Sequence, residues 1–90
     1  MEEATCVIIG RVQGVMYRDF VRRNARKRGI AGFVRNRDDG AVVVVAEGER
    51  KKVETLIALL RRGPLLSRVD DVFVAWRPGT HRFSGFDIVL

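Results

Sequence analysis

Cys6-Val7-Ile8-Ile9-Gly10-Arg11-Val12-Gln13-Gly14-Val15-Met16-Tyr17-Arg18 reads as the end of an apolar strand, a loop with two glycines, and the approach to a helix. Glycine leaves the backbone N–H groups open to a ligand, because no Cβ stands in the way. A loop that feeds a helix N-terminus aims free donors and the positive end of the helix dipole at one spot. Such a concavity suits an anion, phosphate above all. Arg18, at its end, offers a planar fork of donors that fits phosphate oxygens. The same residues also make a plain strand-to-helix turn with a solvated arginine, and from the loop alone both readings stand.

Thr5 to Val12 is a strand apolar on both faces, which predicts an interior position. Asp19 to Arg28 is a helix whose apolar stripe is Phe20, Val21 and Ala25. Arg22, Arg23, Arg26 and Lys27 take its outer side, and Gly29 is a natural stop. Ile30 to Arg37 and Ala41 to Glu47 are the second and third strands. Asp38-Asp39-Gly40 between them is a hairpin signal, because Asp-Gly suits turn positions with positive φ. The run Ala41-Val42-Val43-Val44-Val45-Ala46 predicts a second interior strand. Glu49 to Arg62 is a second helix with Val53, Leu56, Ile57 and Leu60 as its core stripe, ended by Gly63-Pro64. Val69 to Arg77 is a fourth strand, and Phe83 to Leu90 holds a short last one.

The order β-α-β-β-α-β plus a short C-terminal strand predicts an α+β, ferredoxin-like sandwich. In it two helices cover one face of an antiparallel sheet. Ninety residues predict one domain, 1–90.

The residue order is more specific than the pattern. Ile8-x-Gly10-x-Val12-Gln13-Gly14-Val15-x-Tyr17-Arg18 resembles the signature of the acylphosphatase family. A second block follows in the family's order and spacing: Gly32-Phe33-Val34-Arg35-Asn36, then Gly40, Val42 and Gly48. The resemblance covers essentially the whole chain. Tyr17 stands where phenylalanine is usual, and Met16 where glycine is common in prokaryotic members. The resemblance implies the same sandwich and the hydrolysis of acyl phosphates, mixed carboxyl–phosphate anhydrides, to a carboxylate and inorganic phosphate. It makes Arg18 the phosphate-binding catalytic arginine and Asn36 the residue that orients the attacking water. The phosphate cradle is then built from the backbone amides of Gln13, Gly14, Val15, Met16, Tyr17 and Arg18. It further implies that the last strand ends near Arg18. The carboxylate of Leu90 is then a candidate partner for Arg18, against the alternative of a solvated terminus.

The chemistry suits these residue types. An acyl phosphate already has a good leaving group, so positioned donors suffice and no cofactor or metal is expected. Asn36 is no base at neutral pH, but its amide both donates and accepts. His81, the sole histidine, sits in a turn without a catalytic partner. No His/Cys cluster has zinc-ligand spacing and no P-loop motif occurs.

The net charge is +6, and between Arg11 and Arg37 nine basic residues face one acid, Asp19. Such a field attracts anions. A basic chain in this fold also raises an RNA-binding module as the rival. Arg28-Gly29-Ile30-Ala31-Gly32-Phe33-Val34 echoes such a motif but has isoleucine where a base would stack on an aromatic, which argues against nucleic acid. A third reading is a segment like the N-terminus of the hydrogenase-maturation carbamoyltransferases. A single cysteine, an acidic Met1-Glu2-Glu3 and no long apolar run predict a cytoplasmic protein. The expected partner is a small-molecule acyl phosphate, with the chain a monomer.

Overall fold

The computed structural model describes residues 1–90. Its elements are β1 (Glu2–Arg11), α1 (Tyr17–Lys27), β2 (Ala31–Asn36), β3 (Val42–Gly48), α2 (Arg50–Arg62), β4 (Arg68–Pro78) and β5 (Phe86–Val89). All seven residues of β3 are buried, as the valine run predicts for a strand covered on both faces. The sheet order is β4-β1-β3-β2-β5, so β1 and β3 are interior strands.

Alternation along the strands separates the two faces. Ala4, Cys6 and Ile8 of β1 and Val42, Val44 and Ala46 of β3 face the helices. They meet Val21 and Ala25 of α1 and Val53, Leu56, Ile57 and Leu60 of α2 in one core. Cys6 is part of that core, and burial pushes its thiol up to about 12, which leaves it unreactive. Trp76 packs at the edge of the core with the Arg50 guanidinium 3.7 Å above its ring. No helix is long and apolar enough to cross a membrane.

The sheet is mixed rather than antiparallel. β5 runs parallel to β2, with Gly32 opposite Phe86 and Val34 opposite Ile88. The reason lies in how the chain returns from β4, on the far edge. Residues 79–85 cross the face opposite the helices. On the way Thr80 Oγ1 donates to Glu3 at 2.9 Å, the His81 N–H donates to Glu47 at 2.8 Å, and Phe83 meets Phe33 edge-on at 5.9 Å. The crossing delivers the last strand to the other edge in the same direction as β2. It also narrows that strand: the stretch expected from Phe83 begins pairing only at Phe86.

Gly10 has a different task from the one its place in the loop suggests. Its φ is +139°, and a Cβ there would lie 2.1 Å from the Arg68 carbonyl oxygen. The pairing of β1 with β4 shifts register between Ile9 and Gly10. Gly10 thus makes the bulge that lets β4 approach, and Gly14 is the glycine of the loop proper.

Candidate active site

β1 and β2 each pair antiparallel with β3, and β5 is parallel to β2. The C-terminal ends of β1, β2 and β5 therefore lie at one end of the sheet, together with the β2–β3 hairpin. The loop 12–16 leaves β1 at that end, and α1 starts there. This topology answers what the sequence leaves open: the glycine loop and the end of the second strand do share one edge of the molecule.

Within the loop, Gly14 (φ 74°) and Met16 (φ 64°) are left-handed, while Val15 between them is not. Alternation of this kind turns successive N–H groups toward one concavity. None of the loop, turn or cap hydrogen bonds takes up an N–H of residues 13–19, and Phe20, bonded to the Met16 carbonyl at 3.1 Å, is the first amide that is engaged. Met16 caps α1 through its backbone alone, so the helix begins at Tyr17, two residues earlier than its apolar spacing suggests. The free donors of the first turn join those of the loop.

Arg18 lies in that first turn. With Val12, Gly14, Met16, Tyr17, Asp19 and Ile88 it lines a cavity of about 270 Å³. The half-buried Arg18 takes part in no ion pair, unlike its neighbours Arg22 and Arg23, which both bind Asp19. Hydrogen bonds from Arg23 and Arg22 hold the Asp19 carboxyl below the usual range. Asp19 is thus an anion already satisfied by its own helix. Arg18 keeps its donors free beside the open amides. A second cavity, of about 360 Å³, lies where α1 ends and β5 begins, and none of the expected site residues lines it.

Asn36 closes β2, opposite the fully buried Val42, so its side chain is on the helix-facing side. It stands two residues beyond Val34, whose partner Ile88 lines the Arg18 cavity. That separation is roughly 7 Å along the strand. Asn36 is not itself a lining residue. Its Oδ1 is buried and has no hydrogen-bond partner, the sole buried side-chain polar atom of the chain in that state.

Of the expected cradle, Gly14 and Met16 are exposed, while Val15 packs against the core. Tyr17 is buried, so the cavity meets its ring while its hydroxyl points away, to the Leu60 carbonyl at 2.7 Å. Gln13 does more than supply an amide. Its Nε2 donates to the carbonyls of Arg37 at 2.8 Å and Ala41 at 2.9 Å, which ties the loop to the hairpin. Of the two alternatives for the Leu90 carboxylate, the structure shows the solvated terminus rather than a contact with Arg18. It is fully exposed and none of the ion pairs includes it, because β5 stops pairing at Val89 and leaves the last residue in solvent.

The acylphosphatase family model matches residues 4–88 of the chain. An acylphosphatase of Salinibacter ruber is 44% identical over 81 residues, covering 90% of this chain and 85% of its own length. The crystal structure of the Bacillus subtilis acylphosphatase superposes with a TM-score of 0.97 at 37% identity and covers the whole of both chains. A full-length HypF in a phosphate- and nucleotide-bound form superposes with a TM-score of 0.83 at 30% identity, over 99% of this chain but only 12% of that one. Motifs, fold and full-length similarity agree: the chain belongs to the acylphosphatase family, the enzymes that hydrolyse acyl phosphates.

Proposed function

We propose that this chain hydrolyses acyl phosphates by holding the phosphoryl group between the amides of residues 13–18 and the Arg18 guanidinium, while Asn36 holds the attacking water. The observation that carries the reading is the buried, unpartnered Oδ1 of Asn36 at the strand end beside the loop. A buried acceptor without a partner is costly, and a water molecule that donates to it recovers that cost. The water so held has its other proton and its lone pairs free. Its oxygen forms a bond to phosphorus as the bond from phosphorus to the acyl oxygen breaks, and the carboxylate leaves with the electron pair. The water proton passes to a substrate oxygen, so no protein base is required. The amides and Arg18 stabilise the charge on the phosphoryl oxygens, where preorganised donors act most strongly.

The reading requires no metal ion, because an acyl phosphate already has a good leaving group and the amides and Arg18 supply the donors. One core to which every strand and helix contributes supports a single domain over 1–90, and we read it as a monomer that acts on a small acyl phosphate. A lone buried cysteine suits a reducing cytoplasm.

The test compares two variants on a model acyl phosphate. Asn36→Ala should lower kcat while leaving inhibition by inorganic phosphate nearly intact. Arg18→Ala should lower turnover by about 10²–10³-fold, as the loss of a preorganised donor does, and weaken phosphate inhibition as well. Equal loss of phosphate affinity in both variants contradicts the division of labour, and full activity in Arg18→Ala moves the site elsewhere.

A further inference from the structure

Gln13 stands at the start of the loop, half-buried, and is not among the residues that line the Arg18 cavity. Its amide nitrogen reaches across 24 and 28 residues of sequence to the carbonyls of Arg37 and Ala41. Arg37 directly follows Asn36, and Ala41 directly precedes Val42, the partner of Asn36 across the strand pair. The two bonds therefore grip both strands of the hairpin one residue beyond Asn36.

The hairpin does not require this grip to close. The Arg37 N–H donates to the Ala41 carbonyl at 2.8 Å, and the Gly40 N–H donates to the Arg37 carbonyl at 3.1 Å. Asp39 adds a bond to the Ala41 N–H at 3.2 Å and two to the Arg37 guanidinium, at 3.0 and 2.7 Å. Each carbonyl that Gln13 contacts already has a donor, and Gln13 occupies the second lone pair of each. Removing the Gln13 side chain leaves neither carbonyl orphaned. What it does remove is the side-chain link between the glycine loop and the hairpin.

We propose that Gln13 is a positioning residue whose side-chain amide sets the distance between the phosphate loop and the water-holding Asn36, and so governs the rate of attack rather than the affinity for phosphate. The inference rests on the roles of Arg18 and Asn36 given under the proposed function. In-line attack depends on the spacing of water and phosphorus. The loop carries the phosphorus and the hairpin end carries the water. A displacement of about 1 Å at a reacting centre costs as much as 10²-fold in rate. Gln13 spans the gap between loop and hairpin, where a displacement would leave each half-site intact.

The test is a double-mutant cycle on the full chain with acetyl phosphate as substrate and inorganic phosphate as inhibitor. Gln13→Met keeps the length and removes the donors. It should lower kcat by between about 10- and 100-fold and leave phosphate inhibition within about twofold. In a chain that already carries Asn36→Ala, adding Gln13→Met should change kcat by no more than about twofold, because the water it would misplace is no longer held. Should Gln13→Met not fold, Gln13→Asn, whose amide falls one methylene short of both carbonyls, takes its place. Unchanged kcat in the Gln13 variant overturns the proposal, and so do costs that multiply in the double variant. If Asn36→Ala alone keeps full turnover, the fault lies in the reading of Asn36, and the cycle shows that separately.

Discussion

The hydroxyl of Tyr17 donates to the main-chain carbonyl of Leu60 at 2.7 Å, inside the core. In a continuous helix the Leu60 carbonyl would accept the N–H of residue 64, but residue 64 is Pro64, which has none. The preceding bond of the ladder is made, from the Gly63 N–H to the Leu59 carbonyl at 2.9 Å. Tyr17 thus completes the C-terminal end of α2 from the first residue of α1. Burial pushes its phenol up, so the hydroxyl keeps its proton and remains a donor.

Tyr17→Phe should therefore be destabilising although the ring volume is kept. It leaves the buried Leu60 carbonyl without its donor, at a cost of about 1–3 kcal/mol. For a chain of this size each kcal/mol lowers Tm by roughly 4–8 °C. A thermal melt that does not move would mean that a water replaces the hydroxyl.

Gly10→Ala should damage the fold more than its loop position suggests. The new Cβ would meet the Arg68 carbonyl oxygen at 2.1 Å and the Asp70 nitrogen at 2.8 Å, both backbone atoms that cannot step aside. With the strained φ added, the loss is about 2–3 kcal/mol or more. Denaturant melts should show a lower midpoint with an unchanged slope. By contrast a Cβ at Gly14 meets nothing within 4 Å, so Gly14→Ala should be governed by its positive φ alone and cost less.

Inorganic phosphate should raise Tm if the free amides of residues 13–19 and the unpaired Arg18 bind it. A ligand of the native state at 100 times its Kd adds about 2.7 kcal/mol of stability. Melts in phosphate against matched chloride measure this. The shift should shrink strongly in Arg18→Ala and only partly recover in Arg18→Lys, whose point charge lacks the two-pronged contact. Equal shifts in all three proteins would place the anion elsewhere.

Much of this architecture is legible in the residues because it depends on local chemistry. Asp38-Asp39-Gly40 makes its hairpin, with Gly40 at φ 95°, and Val42 to Val45 make a strand buried on both faces. The stripe of α2 faces the core as its spacing requires, and Gly63, at φ 69°, ends the helix. What escapes a reading of the sequence is pairing across long separations. Gln13 looks like one more amide of the loop until the hairpin is placed beside it. The parallel docking of β5 depends on anchors 79–85 finds on Glu3, Glu47 and Phe33, which no local pattern announces. Tyr17 is visible as a departure from the family motif, yet its hydroxyl makes sense only with Pro64 at the end of another helix. Asn36 is placed by its motif, but that its Oδ1 is left without a partner is a fact of the fold.

Glu3 of β1, which together with Glu47 of β3 holds the 79–85 crossing, gives the chain an acid-sensitive anchor. Glu3 is 1% exposed, accepts bonds from Arg77 at 2.7 Å and Thr80 at 2.9 Å, and has Arg82 at 3.7 Å. Burial pushes its carboxyl up, but the bonds from Thr80 and Arg77 and the charges of Arg77 and Arg82 together outweigh burial and leave it below its usual 4.5. A carboxyl whose folded value is depressed contributes stability that is fully present above the unfolded value. That stability is lost as the pH falls through the folded one. Thermal melts from pH 7 down to about 3 should thus fall below about pH 4.5. Asp19 and Asp39, also held low by arginine partners, add to that slope. Glu3→Gln isolates the share of Glu3. At pH 7 it should melt lower than the parent, because Arg77 and Arg82 lose their counter-charge. As the pH drops its curve should be the flatter of the two, and the gap between them should close. Two curves that stay parallel across the acid range would show that Glu3 carries no linked proton, and the anchor would then rest on Glu47 and the Phe33–Phe83 contact instead.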